Sequence, residues 1–258
     1  MEKPTALPSN TSIAVSSPSS APSFRPLYDQ IKILLTQSLI AGEWKPGEAI
    51  PSETDLAGRY GVSQGTVRKA IDQLSAENIL IRRQGKGTFV ATHTAPQHQY
   101  RFLRIFANNG EKHHPSTRFI DVRKSKATTA AARLLDIKVG TPVITLRRVL
   151  VFAGRPLILD EVVVSAARFP NLTLDMAEAS KGSLYSFFET HYGVRMIRAE
   201  ERISAVAADG FAATQLNVAE GTPLLAIDRI AFTYGDKPVE WRRGLVHTDG
   251  YAYFNELA

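Results

Sequence analysis

Gln64, Thr66, Arg68 and Lys69 lie within the segment SQGTVRKAIDQL, where Val67, Ala70, Ile71 and Leu74 keep helical spacing. Such a helix buries its apolar stripe and turns an amide, a hydroxyl, a guanidinium and an ammonium outward. These groups suit the edges of B-DNA. An arginine donates two bonds to guanine, a glutamine pairs bidentately with adenine, and a threonine meets a phosphate or a thymine methyl. The major groove admits one helix, and the first turns reach the bases most easily. Gly65 has no side chain to hold the backbone away, and Lys69 suits a phosphate. Ser63 is placed to cap this helix. A second basic group, RRQGKG, holds Arg82, Arg83, Gln84, Gly85 and Lys86, which can drape over a phosphate backbone or a minor groove. The Ser52 hydroxyl, with a helix N-terminus behind it, suits a phosphate oxygen.

These side chains need a scaffold, and the surrounding residues supply its signals. Leu27, Ile31, Leu34, Leu35 and Leu39 share one helical face that stops at Gly42. Ser52 and Asp55 form a capping box with a shortened acid and open a helix that runs to Tyr60. Gly61 turns the chain into the helix of Arg68. Two short apolar stretches, Ile79–Ile81 and Thr88–Val90, flank the basic tip. Three helices and a basic hairpin predict a winged helix-turn-helix over residues 25–91. The GKGT at 85–88 is not a phosphate loop, because it lacks the upstream glycine and follows no long strand.

The chain of 258 residues has room for two modest domains. Its net charge of +6 permits a nucleic-acid partner without requiring one. There are no cysteines, so disulfides, thiolate metal sites and thiol nucleophiles are excluded. No apolar run reaches the roughly 18–20 residues of a membrane helix, and residues 1–24 lack the apolar stretch of a signal peptide. A cytoplasmic location is expected. Residues 1–24 contain seven Ser and four Pro and almost nothing to bury, which predicts a disordered tail. Residues 92–99, THTAPQHQ, have the composition of a linker.

Residues 100–258 contain an internal repeat. AARLLDIKVGTPVITLRR (131–148) aligns with AATQLNVAEGTPLLAIDR (212–229) at a constant offset of 81, with seven of eighteen positions identical. These include a Gly-Thr-Pro turn and the pair Arg148/Arg229. Each copy has a polar strand upstream and a hairpin downstream, turning at 153–155 or 235–237. The expected fold class is α+β: the winged helix followed by two β-α-β-β units fused into one antiparallel sheet with helices on one side.

Across residues 26–91 the sequence resembles the DNA-binding domain of the GntR superfamily. The position of Gln64 is usually Arg in that family, so this chain is expected to prefer a different base. The segments GTPVITLRRVL, GRPLILDEVVV, SLYSFFETHYGVRMIRAEERI and GTPLLAIDRIAFTYGDKPVEW resemble the UTRA sensor domain of the HutC branch, whose fold is similar to chorismate lyase. The resemblance implies a transcription regulator, a repressor, that binds a palindromic double-stranded operator as a homodimer and answers to a small-molecule effector. It implies effector contacts at Arg148, Asp160, Ser183, Tyr185 and Glu240, with Arg242 on the same strand face as Glu240. Sugar-phosphate sensors of the family have a second Arg where this chain has Leu150, and a Tyr where it has Val246. One bidentate arginine is enough for a planar carboxylate, so a carboxylated or amino-acid-like effector is expected. Asp160 is equally able to be the structural partner of Arg148.

Two rival classes are weighed against this reading, an enzyme and a domain that only dimerises. The six histidines (93, 98, 113, 114, 191 and 247) show no metal-ligand spacing, and no nucleophile stands beside a base, so no enzyme, metal site or cofactor is expected. In Asp160–Glu161 and Glu200–Glu201, strand neighbours face opposite ways, so one of each pair faces a pocket and the other faces solvent or an ion partner. A C-terminal domain that only dimerises stays open as the alternative, since an Arg148 paired structurally with Asp160 need not touch a ligand.

Overall fold

A computed structural model describes residues 25–94, 100–111, 113–180 and 183–256. The expected tail, residues 1–24, and positions 95–99 of the expected linker lie outside the described residues.

Three helices and a hairpin form the N-terminal unit. Helix α1 (Leu27–Ile40) buries Ile31, Leu35 and Leu39, whereas Leu27 and Leu34, expected on the same stripe, are exposed. The buried set is spaced strictly by four, so the contact stripe is narrower than the apolar one. Helix α2 (Glu53–Tyr60) begins at Ser52, whose hydroxyl accepts from Asp55 N while the Asp55 carboxylate accepts from Ser52 N. It ends at Gly61 in the left-handed conformation (φ 66°), where a side chain would be strained. Helix α3 (Gln64–Ala76) is capped by Ser63 and buries Val67, Ala70, Ile71 and Leu74. Strands β1 (Leu80–Arg83) and β2 (Gly87–Val90) pair as the wing.

The C-terminal unit is a six-stranded antiparallel sheet. Its strands are β4 (Ser116–Lys126), β5 (Pro142–Phe152), β6 (Arg155–Ser165), β7 (Arg198–Ala207), β8 (Pro223–Thr233) and β9 (Lys237–Val246), in the order β4-β5-β6-β9-β8-β7. That order is a pseudo-two-fold: each β-α-β-β unit is laid out from edge to centre, and the units fuse where β6 pairs β9. The repeat extends to irregularities, because the register shifts at Leu150/Val151 on β5 and at Ala231/Phe232 on β8, again 81 residues apart. A short pair, β3 (Ile105–Ala107) with β10 (Tyr251–Tyr253), closes one end.

Helices cover both faces of the sheet, not one. The repeat helices α4 (Thr129–Leu134) and α7 (Gly210–Leu216) share a face, and each reaches across to the other unit. Ala131 and Ala132 of α4 pack with Val163 and Trp241, and Ala212 and Leu216 of α7 pack with Leu159 and Leu245. The opposite face is covered by α5 (Leu174–Ala179) and α6 (Leu184–Tyr192), through Ala177, Leu184, Phe187 and Phe188 against Ile144, Leu146, Val162 and Val164. Both α5 and α6 belong to the crossover between the units, which the repeat alignment does not include.

Candidate DNA interface and ligand pocket

On the N-terminal unit, Ser63, Gln64, Gly65, Arg68 and Lys69 are exposed and Thr66 is half-buried. Arg82, Arg83, Gln84, Gly85 and Lys86 are exposed along the wing. The Ser52 and Ser63 hydroxyls serve as caps, Ser63 accepting from Thr66 N. Three of these exposed side chains are tied to a residue that the sequence did not single out. The Glu53 carboxylate accepts from Arg68 Nε at 2.9 Å, from Gln64 Nε2 at 3.4 Å and from Arg82 Nη1 at 2.8 Å. Burial alone would raise the Glu53 carboxyl, but bonds from Arg82 and Arg68 outweigh it and hold the group below its usual range. Arg82 also donates to Asp72 Oδ1 at 2.7 Å. Two of the expected contacts are stacked on rings: Lys69 Nζ sits 3.9 Å from the Tyr28 centroid, and Arg83 sits 4.5 Å from that of Phe89. In sequence, Glu53 reads as an ordinary first-turn helix acid, which is why its bridging position was not visible.

On the C-terminal unit, the face of the sheet beneath α6 holds a cavity of about 70 Å³. It brings together Arg148, Asp160, Ser183, Tyr185 and Arg242, with Glu240 bonded just behind. Arg148 donates from Nε (3.0 Å) and Nη2 (2.9 Å) to the single oxygen Asp160 Oδ2. Burial lowers the Arg148 guanidinium, and the opposing charge of Asp160 restores part of the loss. Arg242 donates to Glu240 Oε2 at 3.2 Å and reaches Asp160 Oδ2 at 3.5 Å. Burial disfavours its charge, yet Glu240, Tyr185 and Asp160 together raise it. Tyr185 OH donates to Glu240 Oε1 at 2.8 Å; burial and the Glu240 charge push this phenol up to about 12, so it remains a donor. Ser183 caps α6 by accepting from Ser186 N and lines the cavity with its neighbours Leu184 and Tyr185.

Arg229 also lines this cavity and donates to Glu201 Oε1 at 2.6 Å. The repeat offset that equates it with Arg148 was the available signal. The carboxylate pairs divide as strand geometry requires: Asp160 is buried and Glu161 exposed, and Glu201 faces Arg229 while Glu200 is exposed beside Arg198.

The two units meet in a buried polar junction that the sequence did not disclose. Within the expected linker, Thr92 is half-buried, His93 is 1 % exposed and Thr94 is exposed. His93 N donates to the Glu189 carboxylate, and the His93 ring lies 5.6 Å from that of Tyr185. Arg195, 2 % exposed, sends Nη2 to Asn78 O (2.8 Å) and Nη1 to Ile79 O (3.2 Å), just past α3, with Nε 3.6 Å from Glu189. Ile197 is buried in the core of the N-terminal unit. Tyr185 and Glu189 stand one turn apart on α6, so one helix touches both the cavity and the junction.

A winged helix with an exposed, base-competent helix and wing, joined to a sheet domain with a charged cavity, defines a DNA-reading regulator with a sensing domain. The comparisons agree. The profile of the gntR family of bacterial regulatory proteins matches residues 27–90, and that of the UTRA domain matches residues 110–252. An Escherichia coli K12 protein named "Probable fructoselysine utilization operon transcriptional repressor" is 31% identical over 83% of this chain and 87% of its own length. The histidine utilization repressor of Pseudomonas putida is 28% identical over 86% of this chain and 88% of its own. The ligand-binding domain of a GntR-family regulator from Bordetella bronchiseptica superposes with a TM-score of 0.61 at 41% identity, covering 62% of this chain and 99% of that one. The chain belongs to the GntR family, in the branch that carries a UTRA domain. It is a DNA-binding transcription regulator with an effector-binding domain and not an enzyme. No helix among the described residues is long and apolar enough to cross a membrane.

Proposed function

We propose that this chain is a cytoplasmic transcriptional repressor that binds a palindromic operator as a homodimer. Residues 25–91 hold the DNA, and residues 100–258 dimerise and bind a carboxylated or amino-acid-like effector between Arg148, Asp160, Ser183, Tyr185, Glu240 and Arg242. The observation that carries this reading is α6. It presents Tyr185 to the cavity and Glu189 to the segment leaving the wing, so a guest that moves Tyr185 acts on His93 and on the seating of the DNA-binding unit. A coupling of about 1–3 kcal/mol through this route changes operator affinity roughly 5–150-fold.

Fluorescence anisotropy on operator DNA selected from a random pool tests the reading. Two protomers should bind per operator, and log affinity should fall with log salt by about 0.9 for each phosphate neutralised. Arg68→Ala should cost about 1–3 kcal/mol per half-site and relax one base preference, whereas Lys86→Ala should weaken all sequences alike. An Arg68→Ala protein with unchanged affinity and preference refutes the recognition-helix assignment. Glu53→Gln removes a negative charge from the DNA face and frees Arg68 and Arg82. Affinity for random DNA should rise and the ratio of specific to random binding should fall; parallel movement of both would show that Glu53 only supports the fold.

A further inference from the structure

The cavity has two ends of different chemistry. Cross-strand register places its lining in rows: Arg148 and Asp160 are directly paired, and Leu150 pairs Ile158, which pairs Val246. Leu150, Ile158, Val246 and Ile227, with Leu103 and Ile105 above them, line the cavity and also form one apolar cluster. The aliphatic row is two residues from the Arg148–Asp160 row along each strand, a spacing of about 7 Å.

The polar end is charge-balanced. Arg148 is matched by Asp160, Arg242 by Glu240 and Arg229 by Glu201. A guest with net charge must leave one of these charges uncompensated in a buried site, whereas a zwitterion adds a carboxylate and an ammonium together. A place for the ammonium is visible. Both guanidiniums that reach Asp160 bind Oδ2, and Oδ1 faces Gly244, where a Cβ would come within 3.1 Å. Gly244 therefore keeps a cradle open beside a carboxylate oxygen. Arg148 makes its bonds from Nε and Nη2, which leaves its Nη1 edge to receive a carboxylate.

We propose that the effector is an aliphatic amino acid. Its carboxylate lies on Arg148, its ammonium on Asp160 Oδ1, and a side chain of about three to five carbons spans the roughly 7 Å to the row of Leu150, Ile158 and Val246. This rests on the reading of the cavity as the effector site and adds the nature of the guest's far end. Leu150 and Val246 belong to the apolar cluster at the far end of the cavity, which offers the oxygens of a phosphate no donor there.

Calorimetry on the full-length protein, with L-alanine, L-norvaline, L-norleucine, hexanoate, hexylamine and glucose 6-phosphate as probes, decides the matter. Affinity should rise about four-fold for each added methylene from alanine to norleucine, the increment for burying one CH₂. Hexanoate and hexylamine, each lacking half of the head group, should bind at least ten-fold more weakly than norleucine. Gly244→Ala should erase the advantage of norleucine over hexanoate, and Leu150→Gln should flatten the chain-length series. The class is wrong if norleucine binds no better than alanine, or if no amino acid binds at millimolar concentration. Glucose 6-phosphate binding that Arg148→Ala abolishes overturns the amino-acid class and keeps the cavity as the effector site. Norleucine binding that is untouched by Arg148→Ala, Gly244→Ala and Leu150→Gln overturns both.

Discussion

Arg195→Ala is expected to destabilise the protein by about 3–5 kcal/mol, the cost of removing one partner from a buried ionic cluster. The side chain is 2 % exposed and donates to two backbone carbonyls, Asn78 O and Ile79 O, that have left helix α3. Deleting it takes the guanidinium donor from Asn78 O and one of two donors from Ile79 O, which keeps its bond from Ala91 N, and removes the cation beside the buried Glu189 carboxylate. Arg195→Lys should restore little, because one ammonium cannot reproduce a planar fork aimed at two carbonyls. The loss should also appear as a change in cooperativity. Arg195 joins two units that each have their own core, so denaturant unfolding should split into two transitions as their contact weakens. Operator binding by the surviving winged helix should persist, while its response to effector falls. A single cooperative transition with an unchanged midpoint would show that Arg195 carries no load between the units.

The parts of this molecule that the sequence discloses are those specified locally or by repetition. Ser52 with Asp55, Ser63 and Gly61 act over three or four residues, so the starts and turns of α2 and α3 are readable from spacing alone. The sheet is readable because the chain states it twice, and the 81-residue offset carries over strands, hairpins and the register shifts of β5 and β8, though not the shift at Phe119/Asp121 on β4. What escapes is specified by contacts between distant residues. Apolar periodicity shows that α6 has a buried face but not on which side of the sheet it lies. His93 and Glu189 are separated by 96 residues, and Arg195 and Ile79 by 116; neither pair has a local pattern that distinguishes it from a polar loop or a solvated charge. Glu53 is hidden differently, since an acid in the first turn of a helix is already explained by the helix dipole. The pocket lies between these cases: residue types and strand alternation point Arg148, Asp160 and Arg242 to one face, but only the register shows that Asp160 answers two guanidiniums with one oxygen.

That shared oxygen makes Asp160 the second position of large effect. Asp160→Ala should cost about 3–5 kcal/mol, because Arg148, 5 % exposed, and the neighbouring Arg242 would face each other without the carboxylate between them. Arg148→Ala should cost a similar amount, since Arg242 is already matched by Glu240 and Asp160 is left as an uncompensated buried charge. The double change Arg148→Met with Asp160→Leu removes both charges and refills the space with apolar volume. It should recover most of the stability, as replacing a whole buried pair often does. Recovery of stability together with loss of effector binding would mean that the pair is kept for recognition, at a cost to the fold. Recovery of both would make the pair a dispensable structural unit and remove Arg148 and Asp160 from the binding site. Thermal melts and calorimetry on the four proteins of the cycle separate these outcomes. The expected result is a coupling of about 2 kcal/mol or more between the two positions in stability, with no effector binding in any variant that lacks Arg148.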